Sequence, residues 1–336
     1  MKPRTAGTKK GTVRRVAKAS PSTTAVSVPT STGKIVITGI CGRLGKRVAR
    51  ALHRLYAVEG IDRRPFPDRP KDIVHHAIDI RRKKCRDVFR HGDVRAVVHL
   101  GIMHDPRASV GDRHTWNVGG FAKLLEYLEQ YKVPKLVVLS SANVYGPRPD
   151  NPQFLGEDAP LMAGQSFAEI RDLIEVDMLA QSYFWRTPET ETVILRPVHI
   201  LGSVRNAPSN YLRRPWVPVL LGFDPMVQVV HEDDVVAAIL LALRPNVRGI
   251  FNLTGPGAIP LSKALDVLGK KTMPIPAGVA TRLQRSLWRF RLSAFPAPEY
   301  DHIRFVCMVD GTRARQVLGF TPRYGLRETL EAVLDT

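Results

Sequence analysis

Cysteine is scarce in this 336-residue chain, with three at positions 41, 85 and 307. An odd number without metal-ligand spacing argues against a disulfide framework, and it suits a reducing, cytoplasmic compartment. No metal is expected. Long apolar runs are missing as well. The longest, Val235 to Leu243, falls far short of the roughly 20 residues a membrane-spanning helix needs, and no apolar signal core opens the chain. Aromatic residues make up 7% of the chain, and the first 32 residues contain none. Those 32 residues also lack any acid, while they carry Lys2, Arg4, Lys9, Lys10, Arg14, Arg15 and Lys18. Rich in Thr, Ser, Pro and Ala, residues 1–32 cannot bury enough apolar surface to offset their ordering entropy and are expected to form a disordered basic tail. Three readings of that tail stay open: contact with nucleic acid or an anionic surface, an organelle transit peptide, or a solubilising arm. No repeat with a period of roughly 20–50 residues is present, which weighs against a solenoid.

The most informative segment that is present is Ile35-Val-Ile-Thr-Gly-Ile-Cys-Gly-Arg-Leu-Gly45, followed by a helical pattern over Lys46 to Ala57. An apolar strand running into three glycines and then a helix is the order of a dinucleotide-binding turn. Gly39 permits the tight turn, Gly42 lets main-chain N–H groups approach a pyrophosphate, and Gly45 lets the helix pack on the sheet. The helix start, with Arg43 and Leu44, then presents its positive dipole end to the phosphates. About twenty residues on, Asp62 closes a second short strand, Val58 to Ile61, where a carboxylate accepts hydrogen bonds from a ribose diol. This favours NAD. NADP stays open, because Arg63 and Arg64 could pair with a 2′-phosphate if Asp62 turned away.

Further strand-like runs occur at Ile73 to Ile78, Ala96 to Leu100, Lys135 to Ser140, Thr192 to Arg196 and Ile250 to Leu253. Helical patterns at Val118 to Tyr131, Ser166 to Trp185, Glu232 to Leu243 and Arg327 to Leu334 alternate with them. Such alternation predicts an α/β fold, a Rossmann-type doubly wound parallel sheet with ligands at the carboxyl ends of its strands. Two Pro-rich, Arg-bearing stretches interrupt it. The expected organisation is therefore a nucleotide-binding domain over 33–201 and 227–254, with a smaller substrate-binding cap from 202–226 and 255–334. Of the net charge of +19, the part outside the tail is densest at Arg81 to Lys84, Arg205 to Arg214 and Arg282 to Arg291. Near a cleft, such charge suits a phosphorylated substrate; the first cluster reads better as a wet helix face.

Taken in order, several motifs resemble the extended short-chain dehydrogenase/reductase superfamily, particularly its NAD-dependent epimerase/dehydratase members, over about residues 34–334. Thr38 to Gly45 looks like its glycine loop, and Asp79-Ile80 like its adenine-contacting pair. Val98-His99-Leu100-Gly101 resembles the strand end beneath the nicotinamide, and Asn117-Val118-Gly119-Gly120 the helix-opening Asn motif. Ser140 to Gly146 is similar to the active-site serine segment, and Leu195-Arg196-Pro197 and Val230 to Val235 to later signatures. The resemblance implies an NAD-dependent oxidoreductase, epimerase or dehydratase that transfers hydride on a sugar-like, nucleotide-linked small molecule. It also implies a homodimer formed through Val118 to Tyr131 and Ser166 to Trp185.

The chain departs from that pattern at the catalytic pair. Aligning outward from Ser141 puts Phe167 where the family carries a proton-transferring Tyr, and Arg171 where it carries a Lys that lowers the phenol pKa. Phenylalanine has no proton to exchange, while Arg171 can still donate to ribose hydroxyls through a planar, permanently charged fork. Tyr131 to Lys135 repeats the Tyr-Lys letter spacing, but Pro134 breaks the helix and makes it a structural decoy. Ser141, His104, Asp105, Tyr145 and His199 remain as groups near the same crevice, His199 standing where nucleotide-sugar members usually have Asn. Val227 replaces a diphosphate-binding arginine, for which Arg205, Arg213 and Arg214 could compensate. Two functional readings follow: an enzyme oriented by Ser141 and Arg171, or a non-catalytic NAD(P)-binding sensor or assembly protein. A nucleic-acid protein on a borrowed fold has no aromatic-interleaved basic motif to support it.

Overall fold

In the computed structural model, β1 (Lys34–Thr38), β2 (Ala57–Ile61), β3 (Val74–His76), β4 (Val94–His99), β5 (Lys135–Leu139) and β6 (Glu191–Pro197) enter one parallel sheet. Gly249–Leu253, which is β11, joins them to give the order β3-β2-β1-β4-β5-β6-β11. The structure describes residues 33–103, 108–165, 170–279, 301 and 303–334; the basic tail, His104, Asp105, Phe167 and Arg282 to Arg291 lie outside the described residues. The central strands read as unbroken apolar runs because both faces are covered. Ile35 and Ile37 of β1 point into one core with Val48, Leu52, Val235 and Ile239, whereas Val36 points into the other with Phe121, Leu128, Val176 and Tyr183. This odd and even division follows from the two-residue period of a strand.

Helices α1 (Arg43–Leu52), α2 (Asp87–Arg90), α3 (Val110–His114), α4 (Gly120–Gln130) and α5 (Arg171–Arg186) supply the crossovers of the first half. α1 starts at Arg43 rather than Lys46 because Gly42, in extended conformation, already serves as its N-cap. It ends at Leu52, leaving four residues to reach β2. α5 is described from Arg171, and the pattern expected to begin at Ser166 starts among residues outside the described set. The Tyr131 to Lys135 decoy is not helical: α4 stops at Gln130, Lys132 is left-handed with φ of 50°, and Lys135 begins β5, where it pairs with Glu191 at 2.5 Å.

Beyond the sheet, β7 (His199–Leu201), α6 (Ala207–Leu212), β8 (Trp216–Leu220), β9 (Met226–Val227), β10 (Val229–His231), α7 (Glu232–Ala242), β12 (Ile259–Pro260), α8 (Leu261–Val267) and β13 (Lys271–Ile275) follow, with a closing helix at Leu326–Glu331. β7 pairs with β10, β9 with β12, and β8 with β13. A third core gathers Tyr211, Leu212, Val217, Leu261, Leu265 and Leu330 from both Pro-rich stretches. Val309, Ala314, Leu318 and Phe320 instead pack in the first core beside Leu195 and Phe251, so the chain after 255 divides between two cores. No helix among the described residues is long and apolar enough to cross a membrane.

Candidate functional site

The crevice forms where β1 and β4 end side by side. Gly39 has φ of 75°, and a Cβ there would lie 2.7 Å from Gly101 Cα and 2.8 Å from the Leu100 carbonyl carbon. The turn therefore closes directly on Leu100-Gly101, and only glycine fits. A Cβ on Gly45 would meet the Gly39 oxygen at 2.4 Å, which fixes how closely α1 packs on the turn. No side chain caps α1, and its first turn holds no acid. By contrast, α7 is capped by His231 and opens with Glu232, Asp233 and Asp234. The positive end of α1, with the main-chain N–H groups of Arg43 and Leu44, thus has neither a capping side chain nor a first-turn acid. The Arg43 side chain itself turns to the Ser203 carbonyl.

Asp62 lies across from this turn, 5% exposed. Its Oδ2 accepts the Cys41 N–H at 3.1 Å, while Arg64 grips both oxygens through its amide, Nε and Nη2. Burial alone would raise the Asp62 pKa, but the Arg64 hydrogen bonds and charge, with the Cys41 amide, bring it below the usual carboxylate range. Asp62 has not turned away from the site. Asp79, at the end of the next strand connection, is held in the same manner by Arg81, and Ile80 packs so closely on α4 that a Cβ on Gly120 would lie 2.6 Å from it.

Asn117 sits in a π-type turn, Thr115–Gly119, leading into α4. Its amide takes the Met103 N–H at 2.7 Å and donates to the Met103 carbonyl and to Asp172, so it pins the loop after β4. Ser141 is half-buried beyond β5; its Oγ accepts the Asn143 N–H at 3.1 Å, and among the described residues it donates to no side chain or carbonyl. Arg171 opens α5, exposed, with Nε donating to the Gly164 carbonyl at 3.2 Å. His199, in β7, is half-buried, and burial pushes its pKa down to about 4, so it is neutral rather than poised near pH 7. Arg205 is exposed after β7, close enough to Arg213 for its charge to lower the Arg213 pKa, after the larger effect of burial. His99 lies under the crevice floor, bonded to Thr38 Oγ1 at 2.7 Å and pushed by burial to about 3.

Beneath the serine segment is a buried polar cluster that the sequence reading did not single out as a unit. Asp177 and Arg196 form a bidentate pair, 0% and 1% exposed, joined by Ser140, Tyr145, Glu157 and Asn252. Tyr145 Oη donates to Asn252 and accepts from Arg196, so it is committed to packing rather than to the crevice. The available signal was Asp177 itself, a charge on the buried stripe of α5 among Leu173, Ile174, Val176 and Ala180. A cavity of about 630 Å³ lies elsewhere, between α1 and α7, lined by Arg43, Lys46, Arg47, Arg50, Arg54 and Asp233 among others. Among the described residues no group of His, Cys, Asp and Glu could hold a metal ion.

Comparison with known proteins gives this architecture its relatives. An uncharacterised protein of Mycobacterium tuberculosis is 26% identical over 314 residues, covering 90% of this chain and 82% of that protein. UDP-glucose 4-epimerase of Dictyostelium discoideum is 30% identical over 181 residues, covering 48% of this chain and 50% of that enzyme. Among solved structures, UDP-glucose 4-epimerase of Thermotoga maritima, with UDP-glucose, superposes with a TM-score of 0.70 at 18% identity, covering 90% of this chain and 97% of the other. dTDP-glucose 4,6-dehydratase of Bacillus anthracis, in complex with NAD, gives 0.69 at 17%, covering 90% and 96%. At such identities the structural likeness is one of fold. The profile of the NAD dependent epimerase/dehydratase family matches residues 35–254, and this chain belongs to that family.

Proposed function

We propose that the chain is an NAD-dependent enzyme of epimerase or dehydratase type that acts by hydride transfer on a sugar-like, nucleotide-linked substrate. The observation that carries this reading is the Gly39 turn closing on Leu100-Gly101 beside an uncapped α1, with Asp62 opposite. These residues fit a dinucleotide: the close-packed glycines leave room for main-chain approach, the first-turn amides suit a pyrophosphate, and the two carboxylates mark the ends of an adenosine. When bound, the nicotinamide supplies the hydride acceptor. Gly39, Gly42, Arg43, Leu44 and Gly45 would hold the phosphates, Asp62, Asp79 and Ile80 the adenosine, and Leu100, Gly101 and Asn117 the wall toward the nicotinamide. Ser141, whose hydroxyl donates to none of the described residues, would donate to the substrate oxygen. Arg171 would serve the ribose with the part of its fork that Gly164 does not engage. The cap expected over 202–226 and 255–334, less the Val309 to Phe320 segment that packs in the first core, would take the substrate near His199 and Arg205.

A specific observation favours the second reading, a non-catalytic dinucleotide-binding sensor or assembly protein. The position that the resemblance assigns to the Tyr holds Phe167, and the groups described around the crevice do not replace a phenol: His99 and His199 are held neutral by burial and Asp177 is locked by Arg196. Titration with NADH, followed by redox cycling against a panel of nucleotide sugars, separates the two. Cycling abolished by Ser141→Ala supports the enzyme; binding without turnover, with a gain of about 10²-fold or more in Phe167→Tyr/Arg171→Lys, supports a lapsed one. Failure to bind the cofactor would refute both.

Homodimerisation through α4 and α5 is part of the proposal. Met178 and Trp185 stand 57% and 77% exposed on α5, and light scattering of Trp185→Glu against the parent tests it. The proposed contact of the basic tail with nucleic acid or an anionic surface is tested by deleting residues 1–32, which should leave cofactor affinity unchanged.

A further inference from the structure

Asp62 has no acceptor capacity to spare. Oδ1 receives the Arg64 N–H at 3.0 Å and Arg64 Nε at 3.1 Å, and Oδ2 receives the Cys41 N–H at 3.1 Å and Arg64 Nη2 at 2.8 Å. An ionised carboxylate offers about four lone-pair sites, so the set is full. A ribose diol can bond to Asp62 only if Arg64 withdraws. Arg64 is in the opposite condition. Of the roughly five N–H donors on a guanidinium, two are spent on Asp62, the side chain is 57% exposed, and Nη2 lies 3.8 Å from where a Cβ on Gly42 would be. Its unspent donors therefore stand at the lip of the glycine turn.

The neighbouring carboxylate repeats the arrangement. Asp79 is gripped by Arg81, also two residues ahead, through Nε at 3.0 and 3.1 Å and Nη2 at 2.6 Å. Between the two clamps, Trp116 donates Nε1–H to the Gly101 carbonyl at 3.3 Å and lies within 4.8 Å of Arg63 and 5.3 Å of Arg81, ring centroid to guanidinium. Both acids at the adenosine end are thus neutralised, and Arg63 adds a cation that neither acid answers.

We infer that this end of the crevice accepts a 2′-phosphate, so that the chain takes NADP as well as NAD, and that Arg64 sets the ratio between them. The inference rests on the dinucleotide reading above. An unpaired aspartate repels a 2′-phosphate; here its charge is already met by Arg64, whose remaining donors form the planar fork that matches phosphate oxygens. NAD must displace that fork from Asp62 to engage its diol, while NADP can use the fork where it stands.

Fluorescence titration with NADH and NADPH reads this directly, with 2′,5′-ADP and 5′-AMP as competitors lacking nicotinamide. In the full chain the two dissociation constants are expected within about 10-fold of each other. A charge-assisted bond contributes enough that Arg64→Ala should weaken NADPH by roughly 10-fold or more while NADH holds or tightens. Arg64→Lys, keeping charge without the fork, should fall between. Arg64 is exposed enough for both variants to fold, which circular dichroism verifies. A parent preference for NADH above about 100-fold, or a ratio that Arg64→Ala leaves unmoved, overturns the inference alone. If neither nucleotide binds, the dinucleotide reading itself falls.

Discussion

Replacing Asp177 by alanine is the sharpest test of how the serine segment is supported. Its two oxygens take four side-chain hydrogen bonds: Ser140 Oγ at 2.5 Å, Gln181 Nε2 at 2.8 Å, and Arg196 Nε and Nη2 at 2.9 and 2.7 Å. Once Asp177 is gone, Arg196 keeps Tyr145 Oη at 2.7 Å and the Glu157 carbonyl at 3.0 Å, neither of which supplies a counter-charge directly. Arg196 is 1% exposed, so water cannot compensate without disrupting the core. Breaking a buried pair from one side costs about 3–5 kcal/mol, a large share of the roughly 5–15 kcal/mol typical of a folded domain. Urea unfolding of the parent, Asp177→Ala, Arg196→Met and the double variant measures this. Each single change is expected to lose about 3–5 kcal/mol, and the double to lose less than their sum by about 1–3 kcal/mol. Losses below about 1 kcal/mol, or strict additivity, would refute the claim that these charges depend on each other. Because Ser140 precedes Ser141, redox cycling should fall in Asp177→Ala even where the variant remains folded, whereas NADH affinity, set by α1, should hold.

Gly45→Ala forces a Cβ to 2.4 Å from the Gly39 oxygen, so α1 must move from the turn; NADH affinity should drop by about 10-fold or more, and unchanged binding would remove the glycine cradle from the proposed site. Asn117→Ala deletes both hydrogen bonds to Met103, leaving that backbone without its partner at a cost of about 1–3 kcal/mol, read as a shift in the urea midpoint at unchanged slope. Acid should destabilise the fold from the histidine range downward. His99 and His199, pushed by burial to about 3 and about 4, stay neutral when folded but titrate near pH 6.5 when unfolded. Below that pH the unfolded chain binds protons the folded chain refuses, so stability is full above about 6.5 and falls on acidification by up to about 1.4 kcal/mol per unit for each group. Glu59 adds to this lower down. The His76 hydrogen bond, with help from Lys34 and against the effect of burial, depresses its pKa, so its contribution is present above the ordinary carboxylate range and is lost as pH falls through the depressed value. His99→Gln should flatten the slope between about pH 7 and pH 5; an unchanged slope would show that His99 is not the group responsible.

The glycine turn was legible because its causes are local. Gly39, Gly42 and Gly45 are spaced by the geometry of a strand-to-helix turn, and Asp62 follows at the length of one crossover, so motif and contact coincide. Asn117 and Ser141 could be placed at strand and helix ends for the same reason. Their partners could not be read, because Met103 and Asp172 lie 14 and 55 residues from Asn117 and meet it only after the sheet has formed. His199 illustrates the difference in chemistry: a histidine at that position reads as a base near neutral pH, and burial alone moves it to about 4.

By itself the sequence determined the doubly wound parallel sheet and the glycine turn at its carboxyl edge, since these depend on periodicity, turn chemistry and residue identity along short stretches. Only tertiary structure decided that the Cys41 amide closes on Asp62, that Asp177 and Arg196 share a dry interior, and that the chain after 255 feeds two cores. Hydrogen-bond capacity and ionisation are set by which groups converge from distant strands and how much water they exclude, and neither quantity is written in the order of residues along the chain.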